Sequence, residues 1–231
     1  MPPKIIELAQ NLLLGVKKGE EVTGIRKALH ELDEGALLSF MTNDSSKVAF
    51  WLNIYNAFIQ LIIKEQPELH RKGKAFFTKK VISIACHEIS FDDIEHGILR
   101  KRKFKYGLGY IPSFFNNAFV LQHQVSRLDF RIHFALNCGA KSCPPIAFYS
   151  PANLEAELEM ATAAFLETET TFNKAQNTVY VTKLMLWFLG DFGGRKGILS
   201  KLKQYGVIPQ DVHPKIRFQA YDWSLALANF V

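Results

Sequence analysis

One segment of this 231-residue sequence concentrates the residue types that do chemistry: His133-Phe134-Ala135-Leu136-Asn137-Cys138-Gly139-Ala140-Lys141-Ser142-Cys143-Pro144-Pro145. Gly139 lets the backbone turn, and the two prolines fix the stretch that follows without donating a hydrogen bond. As a nucleophile, Cys143 needs a thiolate, which a nearby imidazolium or helix N-terminus favours. His133 is the nearest histidine in sequence, although the base need only be a neighbour in space. As a metal site, His133, Cys138 and Cys143 stand at five-residue intervals and would need a fourth ligand such as His96 or His87. That spacing matches no common zinc module, so neither a metal nor a cofactor is expected. In the third reading the two thiols are buried small hydrophobes around a rigid loop. Asn137 and Ser142, beside the cysteines, join the candidate set as binding residues.

Two other clusters carry polar groups at helical spacing. Asn53, Asn56 and Gln60 fall at i, i+3 and i+7 and share one helix face among Trp51, Leu52, Ile54, Tyr55, Phe58 and Ile59. Buried amides need partners, so this stripe either bonds loop backbone or lines a site. The expectation is that it turns toward His133–Pro145, whose glycine and prolines leave backbone groups free. In Asp92-Asp93-Ile94-Glu95-His96-Gly97-Ile98-Leu99-Arg100, Glu95 and His96 diverge by about 100° on a helix and make a poor pair. His96 and Arg100 share a face at i, i+4. Arg100 holds a substrate carboxylate or, alternatively, ties down a loop carbonyl. Cys86 falls at a predicted turn and receives no role.

The elements that must position these residues are mostly helical. Ile5, Leu8, Ala9, Leu12, Leu13 and Val16 predict an amphipathic helix ending near Gly19, and a short helix follows over 24–31. Asn43-Asp44-Ser45-Ser46 caps a long helix running to about Glu65, apolar nearly all round and therefore buried. Lys80–Ile84, Ala85-Cys86-His87-Glu88 and Ile89-Ser90-Phe91 read as a hairpin or as a strand and turn, and Ser90 caps a helix from Phe91 to about Arg102. Periodicity does not decide between strand and helix for Arg131–Leu136. A helix follows from Pro151 through Phe165, then a strand at Thr178–Val181, a helical turn at Leu184–Leu189 and a strand at Lys215–Tyr221. The expected fold is a helix-rich α+β single domain over 1–231, with a small, mainly antiparallel sheet and a buried central helix near 46–65. Residues 1–44 form a helical extension packed on a core of about 45–225.

Composition removes other classes. With 48% hydrophobic and 22% charged residues and 19 phenylalanines, the chain is neither disordered nor fibrous. Three cysteines cannot build a disulfide scaffold. The net charge is +6, with the densest basic run at Arg100, Lys101, Arg102, Lys103 and Lys105. No nucleic-acid motif accompanies it, so nucleic acid is not an expected partner and a solvated helix end is the simpler reading. The start lacks a signal-peptide pattern, which leads us to expect a cytoplasmic protein. Val48–Ile63 is shorter than a membrane span and contains three amides, so no transmembrane segment is expected.

At Trp51–Ala57, Ser90–Arg100 and Arg131–Pro145 the sequence resembles, in order, the signatures of the domain of unknown function 547 family. Trp187–Phe192 and Tyr221–Leu225 are similar to that family's bacterial members, so the resemblance covers roughly residues 45–225. The family commonly has a glycine turn where Ala85-Cys86 stands here. The resemblance implies little chemistry, because the family's function is unassigned. From the residues, the leading functional expectation is a thiol-dependent acyl-transfer enzyme acting on an amide, peptide or other small substrate. Cys143 is its nucleophile, His133 or His96 its base, and Asn53 or Asn56 orients the base or the oxyanion. The alternative is a non-catalytic binding or scaffold domain whose Cys, Asn and Arg residues fasten loops.

Overall fold

The computed structural model describes residues 4–70, 73–114 and 117–231. Its first helices are α1 (Ile5–Lys18), α2 (Thr23–His30), α3 (Glu34–Phe40) and α4 (Asp44–Glu65). Gly19 stops α1 in a left-handed conformation (φ 70°), its N–H bonding the Gly15 and Val16 carbonyls. The Asn43 side chain opens α4 by accepting from the Ser46 N–H at 2.9 Å. From Val48 to Ile63 only Leu61 escapes full burial, so α4 is the axis of the core. By length and composition alone α4 could cross a membrane, yet 89% of its most apolar window is buried inside the protein. Leu8, Leu12 and Leu13 of α1, Leu29 of α2 and Leu37 of α3 pack into the same core.

Two short helices, α5 (Pro67–His70) and α6 (Lys74–Thr78), lead to an antiparallel hairpin of β1 (Ile82–Ile84) and β2 (His87–Ile89). It turns through Ala85 and Cys86, both left-handed (φ 48° and 60°), a strain that non-glycine residues rarely carry. Their N–H groups bond the Leu29 and His30 carbonyls at the end of α2, which holds the turn. The predicted helix after Phe91 is instead a π-helix over Asp93–Leu99. Its wide winding is carried by bonds from Arg100 N–H to the Glu95 carbonyl and from Arg102 N–H to the Gly97 carbonyl.

After α7 (Ala118–His123), the undecided segment is a 3-10 helix, Phe130–Phe134, opened by the Asp129 side chain. Then come α8 (Leu154–Glu169), β3 (Thr171–Asn173), β4 (Thr178–Val181), α9 (Leu184–Trp187), α10 (Gly194–Gln204) and β5 (Lys215–Phe218). The architecture is helix-rich α+β. Its strands form two sheets, the hairpin and a β3-β4-β5 sheet whose β4–β5 pair is parallel. That pairing follows from connectivity, because α9 and α10 carry the chain across between the two strands. Phe165, Val179, Val181, Met185, Phe192 and Ile198 form a second hydrophobic cluster beside the one around α4. The C-terminal segment packs past residue 225, with the Ala228 N–H on Gln60 Oε1 (2.7 Å) and the Ile146 N–H on the Asn229 carbonyl.

Candidate functional site

A cavity of about 780 Å³ lies between the two clusters. The first contributes Tyr55 and Leu136 to its wall, the second contributes Leu184 and Phe188, and the π-helix adds Glu95 and His96. Cys138, Cys143, His133, Trp187, Tyr221 and Trp223 also line it. Trp187, Tyr221 and Trp223 pack on one another with ring centroids 4.7–5.5 Å apart.

Two of the three stripe amides, Asn56 and Gln60, reach the loop that carries the thiols, whereas Asn53 turns to Tyr149 beyond it. Asn56 donates to the Ala135 carbonyl (2.9 Å) and accepts from the Asn137 N–H (2.9 Å). Asn137 in turn accepts from the Gly139 N–H and donates to the Pro144 carbonyl, spanning the loop from within. Gln60 reaches Asn137 Oδ1, while Asn53 clamps both backbone groups of Tyr149. Gly139 adopts φ +86°, and a Cβ there would lie 2.7 Å from Ile63 Cδ1, so only glycine lets the loop press on α4.

That loop holds Cys143 Sγ 2.9 Å from Cys138 Sγ, 3.1 Å from the Cys138 N–H nitrogen and 3.2 Å from the Tyr221 hydroxyl. Burial pushes the Cys143 thiol up, but hydrogen bonds from Cys138 and Tyr221 outweigh it, leaving it at about 7. Cys138 moves the other way, raised well above its ordinary value by its bond to Cys143 and then by burial. Burial, followed by the charge of the two sulfurs, raises Tyr221 as well. One sulfur is thus prepared as a thiolate and its neighbours as proton-bearing donors. Neither histidine is among the hydrogen-bond partners that the described residues offer Cys143 Sγ.

The histidines belong to a charged knot on the facing elements. Arg100 Nε donates to Asp191 Oδ2 at 2.7 Å, and His133 Nε2 donates to the same oxygen at 2.9 Å. Arg100 and Asp191 side chains are both fully buried. His133 stacks on Phe188 at 4.0 Å, with the Arg100 guanidinium 4.4 Å from that ring. Arg100 Nη1 also donates to His96 Nδ1 (2.9 Å), which leaves the His96 proton on Nε2, toward Asp92 at 3.7 Å. Burial lowers His133 to about 4, more than the Asp191 bond restores. Burial and then the Arg100 charge hold His96 well below its ordinary value. Burial opposes ionisation of Asp191, but the His133 and Arg100 bonds win and keep it below the usual carboxylate range. Among the described residues, Arg100 Nη2 and Asp191 Oδ1 are buried without a hydrogen-bond partner.

Glu95 stands between these groups. Burial raises it to about 7 against the pull of Arg100, and Tyr55 donates to its Oε2 at 3.2 Å. Its other oxygen lies 3.7 Å from His96 Nδ1, so the side-chain ends of this adjacent pair approach each other although their Cβ atoms diverge. Lys105 bonds both oxygens of Asp92 at 2.8 Å beside them.

The cavity therefore joins Cys143, His133 and His96 from the sequence-derived set. Asn53, Asn56 and Asn137 spend their amides on backbone groups and, for Asn137, on Gln60, and Arg100 spends its charge on Asp191, all of them behind the wall. Ser142 lies outside it, accepting from the Asp222 N–H. Cys86 is exposed in the hairpin turn. His133, Cys138 and Cys143 do not converge as ligands; among the described residues no cluster has the makings of a metal site. Tyr221 and Asp191 receive no role from the sequence, and Glu95 is considered there only as a poor partner for His96. Each sits in a stretch whose family resemblance was visible, but its partners are distant in the chain.

Fold and site together define a helix-rich α+β protein built around a cavity with an ionisable thiol. The family model described as "Protein of unknown function, DUF547" matches residues 38–166, more than half of the chain, and the chain belongs to that family. The matched region holds α4, the π-helix and the thiol loop, while Asp191 and Tyr221 lie beyond it. No curated protein and no solved structure matches the chain.

Proposed function

We propose that this protein is a thiol-dependent acyl-transfer enzyme with Cys143 as the nucleophile. The observation that carries the reading is a sulfur on the wall of a large apolar cavity with three donors around it and a pKa near neutrality. The thiolate attacks an acyl carbon; the C–S bond forms as the carbonyl electrons move to oxygen. Collapse of that intermediate expels the leaving group, which needs a proton. Glu95, at about 7, is half protonated at neutral pH and suits that transfer, then the return transfer from water that releases the acyl group. His96 remains neutral and donates through Nε2 rather than acting as the base. Aromatic walls favour an acyl group with a substantial apolar part.

The test uses a panel of p-nitrophenyl esters and thioesters of increasing acyl length, read by intact mass and peptide mapping. An acyl adduct on Cys143, absent in Cys143→Ala and longer-lived in Glu95→Gln, is the expected outcome. If iodoacetamide alkylates Cys143 but no donor acylates it, the acyl-transfer reading is wrong.

A further inference from the structure

Lys101, Arg102 and Lys103 of the basic run have no part in this chemistry, and they lead into a loop at the cavity mouth. Lys103 and Pro112 pair antiparallel, and the Phe104 N–H bonds the Ile111 carbonyl at 2.8 Å, closing the loop at its base. Its far end is pinned: the Gly190 N–H bonds the Leu108 carbonyl at 2.7 Å. Gly109 lies so close to Asp191 that a Cβ would sit 2.5 Å from Oδ1. Tyr106 and Leu108 line the cavity from this loop. Held in this way, the segment keeps Tyr110 56%, Ile111 50% and Phe114 87% exposed. Scattered apolar residues on a surface need no account, but several large ones on one short loop mark an interaction site.

Charge identifies the occupant. From His96 to Leu128 the sequence contains no Asp or Glu. Arg100 is committed to Asp191 and Lys105 to Asp92. Among the described residues Lys101, Arg102 and Lys103 have no carboxylate partner, and Lys101 bonds only the neutral Ser126 carbonyl. Lys74 adds a further cation 4.9 Å from the Tyr106 ring. Exposed aromatic and aliphatic side chains flanked by unpaired cations suit an anionic lipid surface, where rings sit at headgroup level and cations face the phosphates. A nucleic-acid strand would stack on the rings but has no use for Ile111.

We propose that this loop docks the protein on an anionic phospholipid bilayer with the cavity mouth at the interface. The acyl group offered to Cys143 then comes from a membrane-resident amphiphile. The docking stands independently; the substrate source rests on the acyl-transfer reading.

Cosedimentation of the full chain with sucrose-loaded vesicles tests the docking, comparing equimolar phosphatidylglycerol and phosphatidylcholine with phosphatidylcholine alone. Binding is expected on the anionic vesicles and to weaken with salt. Each cation near such a surface contributes a factor of about five, so Arg102→Glu and Lys103→Glu together should remove most of it. Tyr110→Ser with Phe114→Ser should do the same through the apolar contact, while Cys143→Ala binds as the parent does. Equal partition onto both vesicles, full binding by the loop variants, or full displacement by a single-stranded oligonucleotide overturns the docking. The substrate source is read by Cys143 acylation from a long-chain thioester held in the same vesicles. Wild type should exceed the loop variants, which still accept a short soluble donor. Equal rates overturn the membrane source, and no acylation from either donor while vesicle binding persists overturns the acyl-transfer reading alone.

Discussion

The thiol loop and the charged knot face one cavity and solve the burial of polar groups in opposite ways. In the loop, Asn56, Gln60 and Asn137 bond backbone and one another, and the sulfurs bond each other and Tyr221. In the knot, one oxygen of Asp191 receives both Arg100 and His133, while Asp191 Oδ1 and Arg100 Nη2 find no partner among the described residues. The loop is held by neutral hydrogen bonds and lowers the pKa of one thiol; the knot is held by charge and keeps two histidines in their neutral form. The contrast assigns thiolate formation to the loop's own donors rather than to an imidazolium, unlike the cysteine–histidine pairing that the sequence suggests.

The sharpest way to break the knot is to remove its anion. Asp191→Ala leaves the Arg100 guanidinium buried without its counter-charge, and such losses cost about 3–5 kcal/mol. Urea unfolding at neutral pH should show a midpoint far below the parent's. A double variant, Asp191→Leu with Arg100→Met, removes both charges and should regain most of that loss. If the single variant is destabilised by less than the double, Arg100 and Asp191 do not neutralise each other in the fold.

The knot also predicts a pH signature, which Glu95 conceals. His133 titrates at about 4 in the fold and near 6.5 unfolded, so between these values the unfolded chain binds more protons. Stability therefore rises with pH across that window, by about 3 kcal/mol for a shift of this size. Glu95 titrates at about 7 in the fold against 4.5 unfolded, so the folded chain binds more protons and stability falls with pH from 4.5 to 7. The two trends oppose each other between pH 4.5 and 6.5. In Glu95→Gln the falling limb disappears, and unfolding free energies should climb through that range by about 2 kcal/mol more than in the parent. Parallel curves for the two proteins would deny Glu95 its raised pKa.

A smaller effect is expected where the loop meets α4. Asn56→Leu removes the bonds to the Ala135 carbonyl and the Asn137 N–H and leaves both groups buried. The cost is about 1–3 kcal/mol by urea unfolding, because unpaired buried backbone groups carry that penalty. An unchanged midpoint would mean that the thiol loop does not depend on the stripe.

These cases also mark how far the sequence is legible. Asn43 and Gly19 bracket helices through local chemistry, and the i, i+3, i+7 spacing of Asn53, Asn56 and Gln60 is readable because one helix sets it. Asn137 is readable for its place beside Cys138, although its role as an internal brace depends on where Pro144 folds back. The π-winding at Asp93–Leu99 leaves no mark in apolar periodicity, and the approach of the Glu95 and His96 side-chain ends is not foreseeable from spacing. Asp191 and Tyr221 join the site only because α9 and the C-terminal segment return to it. Their partners, Arg100 and Cys143, are far away in sequence, and such pairings are set by tertiary packing rather than by local pattern.

The finest test asks which wall makes the thiolate. If the loop does, Cys138→Ala removes an S–H donor that opposes the upward push of burial, and Cys143 should titrate about one unit or more above its parent value of about 7. Tyr221→Phe removes the hydroxyl donor 3.2 Å away and should shift it in the same direction. His133→Ala leaves the sulfur's donors untouched and should leave its titration unchanged. The readout is the rate of iodoacetamide alkylation at Cys143 against pH, resolved by peptide mass so that exposed Cys86 does not contribute. The coupling works in both directions. In Cys143→Ala, Cys138 loses its largest upward influence and should titrate lower than in the parent, although burial still holds it above an ordinary thiol. Were His133→Ala to move the Cys143 profile while Cys138→Ala did not, the imidazole would be the activating group, and the division of labour between the two walls would be reversed.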